Sequence, residues 1–253
     1  MIAIFRKKRV AVVCALVCLI AVLSILVWVP GAVPSAAERR KVPVYGVETD
    51  QNVVALSFDA AWGADKTAQI MDILEQYGAR GTFFLVGFWV DHYPEMVKEI
   101  AERGHVIGNH STNHLHMAKL DRAKMEEELR LTNEKIAALT GNAPQYFRAP
   151  FGEYNNSLIE TADAMKMQTV QWSIDTLDWK GISGGEIADR VLANVKSGSI
   201  ILCHNNSDHI LEALPLILVG LQNKGLKAVG MDEVVMSSDF TIDANGIQKA
   251  NKS

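Results

Sequence analysis

Seven polar side chains stand just past, or at the end of, short apolar runs: Asp59 in "ALSFDAAWGAD", His110 and His114 in "HSTNH", Arg148 in "RAPFG", Asp175 and Asp178 in "DTLDW", and His204 in "LCH". Two imidazoles four positions apart on a turn or tight loop can grip one divalent metal. A cation held by His110 and His114 would polarise a carbonyl and a water. Asp59 would then take the water's proton, and His204 would protonate the leaving group. Arg148 would keep Asp59 ionised and oriented, and a neighbouring acid, Asp178 or Asp175, would do the same for His204. The chemistry within reach is hydrolysis of an unreactive carbonyl compound. No G-x-S-x-G elbow is present, so an acyl-enzyme route has no serine to start it. Each residue also has a plainer role open to it alone: Asp59 as a helix N-cap, Arg148 in a surface ion pair, His204 as a satisfied core histidine.

What favours the joint reading is the set of elements that must carry these residues. From Val53 onward a short apolar run, a polar turn and a helically spaced segment recur, usually closed by glycine. "VVALSF", "GTFFLVG", "HVIGN", "QYFRAP", "QTVQWSI", "SIILCH" and "LKAVGM" read as seven strands. About six helices alternate with them, the longest over "DRAKMEEELRLTNEKIAALTG" with Met125, Leu129, Thr132, Ile136 and Leu139 on one face. Such alternation predicts an α/β protein with parallel pairing, as an open doubly wound sheet or a closed barrel. No G-x-G-x-x-G follows the first strand, which weakens a dinucleotide fold. In a barrel the carboxyl ends of the strands share one rim, so residues from position 59 to position 204 would meet in one pocket.

Composition supports a globular body: 49 % of the 253 residues are hydrophobic and 21 % charged. Net charge is -4, but Arg6, Lys7, Lys8 and Arg9 precede every acid; without these four, 21 of the 25 basic residues face 29 acidic ones. A body of that charge repels nucleic-acid phosphates, and nucleic-acid binding is excluded as a function class. Cys203 is the one cysteine of the body and reads as a buried strand residue. His105, His116 and His209 read as structural.

Residues 1–9 form a basic segment, and residues 10–29, "VAVVCALVCLIAVLSILVWV", carry no charge over the roughly 20 residues that a membrane-spanning helix needs. Positive charge before the span predicts a single-pass signal-anchor with the rest outside the cytoplasm. The alternative is a secreted protein cleaved near "PSAAE". Residues 30–50 read as a linker, 51–237 as the catalytic domain and 238–253 as a frayed polar tail.

Taken in order, "SFDAAWG", "HSTNH", "RAPFG", "DTLDW" and "LCH" resemble the five motifs of the polysaccharide deacetylases, carbohydrate esterase family 4 with the NodB homology domain. The resemblance runs from about Val53 to Val235. It implies a distorted (β/α) barrel, N-acetylated glycans such as peptidoglycan or chitin as substrates, and zinc, cobalt or a similar divalent ion as cofactor. It also implies Asp59 as general base, His204 as general acid, His110 and His114 as metal ligands, and Arg148 in contact with the base. The Phe151 backbone N–H would stabilise an oxyanion, and Leu202 and Trp179 would wall the acetyl pocket. By analogy it suggests a Gram-positive-type envelope, remodelled during sporulation. One departure stands out. Ala60 occupies the position where typical members place a third ligand, an aspartate; Asp59, Asp65, Asn109 or water would have to fill that role. Three readings stand side by side: an N-deacetylase of wall glycans; a catalytically silent glycan-binding envelope protein, for which Ala60 is the motive; and a hydrolase of small cyclic amides on the same barrel, because fold does not fix substrate.

Overall fold

The computed structural model describes residues 16–17 and 39–251. The chain divides into two units, Met1–Arg39 and Arg40–Ser253. In the first, residues 16–17 are helical; the expected basic segment and the rest of the expected anchor lie outside the described residues.

In the second unit the central strand is β2 (Val53–Ala60), with every residue from Val54 to Ala60 buried. A strand covered on both faces needs apolar residues on both, and "VVALSFDA" supplies them almost without interruption. Around it run β3 (Thr82–Leu85), β4 (Val106–Asn109), β5 (Tyr146–Phe147), β6 (Gln168–Thr169), β7 (Ile174–Asp175) and β8 (Ile200–His204), in the spatial order β6-β5-β4-β3-β2-β8-β7. A further strand, β9 (Lys227–Val229), pairs with the start of β2, and all these pairings are parallel. Helices at Thr67–Gln76, Pro94–Glu102, Arg122–Thr140, Asn156–Ala164, Gly184–Asn194 and Ile210–Asn223 make the crossovers. The longest begins where the Asp121 carboxylate accepts from the Lys124 N–H at 2.8 Å and ends at Gly141, whose φ of 78° suits a residue without Cβ.

All seven anticipated strand runs are present. The fifth is divided: β6 pairs with β5, whereas β7 pairs with β8 at the far end of the order. One continuous piece of chain therefore supplies both margins of the curled sheet. A short additional helix, Gly87–His92, follows β3. Asp59 lies inside β2 rather than after it, and the nearest helix does not start until Thr67, so it is no N-cap.

Both ends of the expected domain need correction. Residues 40–50, read as linker, belong to the folded unit. Val44 and Val47 are buried, and the Val44 N–H donates to Thr169 O (3.0 Å) while its carbonyl accepts from the Gln171 N–H (2.7 Å). The Val47 N–H donates to Gly198 O at 2.9 Å, so this segment crosses from β6 to the start of β8 like a strap. Residues 238–253, read as a frayed tail, contain β10 (Phe240–Ile242) and β11 (Ile247–Ala250), which form a small sheet with β1 (Gly46–Val47). A sequence rich in polar residues misleads here because a three-stranded ribbon needs backbone partners more than apolar side chains.

Candidate active site

Strand register brings the reactive groups together. Asp59 on β2 pairs with His204 on β8, Leu85 with Asn109, and Asn109 with Phe147. His110 and Arg148, each one residue beyond a paired position, therefore leave β4 and β5 side by side. The His110 Nδ1 lies 2.8 Å from the Arg148 carbonyl. A carbonyl only accepts, so the ring proton sits on Nδ1 and the Nε2 lone pair is left facing the Asp59 Oδ2, 3.4 Å away.

Arg148 is fully buried beneath this pair. Its Nη1 donates to Asp59 Oδ1 at 2.7 Å, and its Nη2 donates to Ser57 Oγ (2.8 Å) and Gln171 O (3.2 Å). Its guanidinium carbon sits 4.1 Å over the Phe84 ring. Burial by itself would raise the Asp59 pKa, but the positive charge of Arg148, with smaller help from His110 and His204, holds it below the ordinary value. Burial lowers the His110 pKa despite the Asp59 charge. In His114 burial and then His110 lower the pKa to about 4. Both imidazoles are thus neutral near pH 7, the state in which a ring nitrogen can bind metal.

His204 shows the opposite balance. Burial lowers its pKa, but Asp178 more than offsets this and the net shift is upward. Asp178 is buried and grips His204 twice, through Oδ1 to the ring Nδ1 (2.7 Å) and through Oδ2 to the backbone N–H (2.8 Å). Of the two acids offered for this role by the sequence, Asp178 takes it. Asp175 lines the cleft, but its Oδ1 accepts from the Leu177 N–H at 2.9 Å, closing a local turn rather than orienting His204.

The loop carrying the histidine pair is held from below by a residue that the sequence reading passed over. Glu128, completely buried in the helix Arg122–Thr140, accepts from the N–H groups of Thr112 (3.1 Å) and Asn113 (2.8 Å) through Oε2, and from Asn113 Nδ2 (2.6 Å) through Oε1. This clamp allows Ser111 and His114 their positive φ values of 66° and 53°. Glu128 falls beside Met125, Leu129 and Thr132 on the stripe that faces inward, and an acid within such a stripe was the available signal. Ser57, Phe84 and the Gln171 carbonyl, which secure Arg148, carried no signal of their own.

Of the possible third ligands, Asn109 is spent: its Nδ2 donates to Leu129 O and Asn133 Oδ1, and its Oδ1 accepts from the Ser111 N–H. Asp65 is exposed and does not line the cleft. Ala60 is fully buried in the apolar cluster with Phe58, Ile70 and Phe83, so the cleft lining takes Asp59, Ala61 and Trp62 but passes over Ala60. Among the described residues no group of three or more His, Cys, Asp or Glu is arranged to hold a metal. His110 and His114 lie side by side, with ring centroids 5.1 Å apart. A neutral Nε2 and a carboxylate oxygen facing each other are two acceptors, an arrangement that a cation or a shared proton would satisfy.

These groups open on one cleft of about 660 Å³. Leu202 is buried in its wall, whereas Trp179 and Phe151 stand exposed at its edge. Phe151 has φ 60° and ψ 4°, a left-handed conformation that costs a non-glycine residue on the order of 1–3 kcal/mol. Its ring stacks on His116 with centroids 4.3 Å apart. His105 is buried against Phe83, and His209 pairs with Glu212, so both stay outside the cleft.

Residues 46–170 match the family described as polysaccharide deacetylase. An uncharacterized protein of Bacillus subtilis (strain 168) is 36 % identical over 72 % of this chain, which spans 57 % of that relative's length. A peptidoglycan-N-acetylglucosamine deacetylase of Bacillus cereus is 37 % identical over 73 % of this chain and 69 % of its own length. Among solved structures, a protein of Bacillus anthracis described as a CE4 family pseudoenzyme superposes with a TM-score of 0.75 at 30 % identity, over 78 % of this chain and 71 % of that one. A mutant of that protein is described as having restored enzymatic activity.

Proposed function

This chain belongs to the polysaccharide deacetylase family, and from that membership we propose that it hydrolyses N-acetyl groups of a peptidoglycan-type wall glycan, with Asp59 as base and His204 as acid. One observation carries the reading. A carboxylate whose pKa Arg148 lowers and an imidazole whose pKa Asp178 raises stand on paired positions of adjacent strands and share a cleft with two neutral imidazoles. Opposed pKa shifts on neighbouring groups are how one site holds a base and an acid at the same pH.

A divalent cation such as zinc or cobalt, held by His110 and His114 with water completing its shell, would supply Lewis-acid polarisation of the acetyl carbonyl and of the attacking water. Asp59 accepts that water's proton at Oδ2, the oxygen not engaged by Arg148. With Nδ1–H donated to Asp178, the imidazolium form of His204, which the upward pKa shift favours, carries a second proton on Nε2 and gives it to the amide nitrogen as the C–N bond breaks. The Phe151 N–H donates to the carbonyl oxygen as negative charge grows there. Leu202 and Trp179 flank the acetyl methyl. Within the same reading residues 10–29 anchor the chain in the membrane with the folded unit outside, a placement supported by the uncharged run behind "RKKR".

A second reading, a catalytically silent glycan-binding envelope protein, draws on Ala60 and on the likeness to the pseudoenzyme. Acetate release from N-acetylglucosamine oligomers and from peptidoglycan, with chelator and with added zinc or cobalt, separates the two. Metal-dependent acetate supports the deacetylase; glycan binding without acetate under any metal supports the silent binder.

A further inference from the structure

Among the described residues four large aromatic side chains are exposed: Trp62, Tyr93, Phe151 and Trp179. Three of the four line the same cleft, which is not the scatter expected of incidental surface aromatics. Phe151 and Trp179 belong to the catalytic pocket as read above. Trp62 does not. It lies three residues beyond Asp59, keeps 59 % of its surface exposed, and is backed by Phe88 (centroids 6.2 Å) and by the edge of His114 (5.3 Å). The turn beneath it is fixed as well. The Gly63 carbonyl accepts from Trp89 Nε1 (2.7 Å) and from Asn205 Nδ2 (2.9 Å), and Lys66 Nζ donates to the Asn206 (3.2 Å) and Ser207 (2.8 Å) carbonyls. An indole that stays wet while its turn is anchored at four points costs solvation without contributing to the core. It is preorganised for a ligand.

We infer that Trp62 is a stacking platform for a second sugar ring, next to the one whose acetyl group reaches the catalytic pair, so that the site reads a polymer rather than a single residue. Trp62 edges the side of the cleft formed by the histidine loop. Trp179 edges the side formed by Asp178 and His204. A glycan lying between them presents the apolar C–H face of one pyranose to each indole, and its hydroxyl edges meet the exposed polar rim at Asn206 and Asp208. The inference rests on the glycan reading of this cleft but not on turnover, since a silent binder would use the same platform.

The test is calorimetric titration of the full-length protein, under chelator so that no turnover occurs, with N-acetylglucosamine and its oligomers from dimer to hexamer. Trp62→Ala, Trp62→Phe and Leu216→Ala, a control exposed elsewhere, are compared with wild type. Wild-type affinity should rise with oligomer length. Trp62→Ala should lose about tenfold on the oligomers, the size of one aromatic contact, with little change for the monosaccharide, while Trp62→Phe keeps most of the gain and Leu216→Ala all of it. Circular dichroism melting checks that the variants fold alike. Length-dependent binding that survives Trp62→Ala overturns the platform and leaves the glycan reading intact. A wild type that binds no oligomer at all overturns both.

Discussion

Replacing Arg148 by methionine removes the guanidinium while keeping an apolar stem over Phe84. The wild-type pair illustrates two opposing magnitudes. Unit charges about 4 Å apart attract by ~4 kcal/mol at an effective dielectric near 20, while dehydrating each ion costs several kcal/mol. The pair therefore adds little net stability, but losing one partner strands the other. Asp59 would keep its burial and lose the charge that offsets it, and Ser57 Oγ and Gln171 O would lose a donor. The expected penalty at pH 7 is about 3–5 kcal/mol. Its pH dependence has a definite sign. In the wild type the lowered Asp59 pKa contributes stability above the unfolded value near 3.8, which is lost as pH falls through the folded pKa. In Arg148→Met burial raises the folded pKa instead, so the mutant's deficit should shrink on acidification as Asp59 takes up a proton. Urea unfolding followed by tryptophan fluorescence at pH 7 and pH 5 measures this. The double variant Asp59→Asn/Arg148→Met should recover about 1–3 kcal/mol relative to simple additivity. A penalty under about 1 kcal/mol, or strict additivity in the double variant, would refute the claim that Arg148 is there to hold a buried carboxylate.

Other consequences can be checked on the same protein. Asp178→Asn leaves burial as the main influence on His204, so its pKa should fall below the ordinary 6.5; the alkaline limb of the pH profile of kcat/KM should move down, and a uniform loss at every pH would count against this. Ala60→Asp places a carboxylate in an apolar cluster rather than in the cleft, so it should lower Tm and leave a calorimetric zinc titration unchanged; tighter zinc binding in this variant would mean that position 60 does reach the site. Glu128→Gln replaces an acceptor of two backbone N–H groups by an amide and should weaken zinc binding about 10- to 100-fold, the usual range for groups that orient ligands; unchanged zinc affinity in a folded variant would reduce Glu128 to a core residue.

The alternation of apolar runs and helical segments was enough to foresee a parallel sheet, and parallel strands dictate that Asp59, His110, Arg148 and His204 share an end. That much needs no side-chain detail. What the sequence concealed is whatever depends on contacts between distant backbone groups. Nothing in "QTVQWSI" marks the break that sends Gln168–Thr169 and Ile174–Asp175 to opposite margins of the sheet. The polar strands near the C-terminus looked frayed because their partner, Gly46–Val47, lies at the other end of the chain. The choice of Asp178 over Asp175 was likewise hidden, since two acids three apart in a loop differ only in where the backbone turns. Ala60 could be recognised as a departure from the family pattern, but not that its methyl packs into the core rather than facing the cleft.

The strap at residues 44–47 has a consequence for assembly of the folded unit. Val44 bridges to Val170, Gly46 to Ser199, and Gly46–Val47 to Ile247–Gln248. A chain emerging from the ribosome presents this segment well before its partners, so the seam between β6 and the start of β8 is laced only once residues 169–171 and 198–199 have been made, and the small sheet only once residues 247–248 have followed. Closure of the seam is thus governed by contacts distant in sequence, which form slowly, and a chain interrupted before residue 198 would leave the strap without its second set of partners.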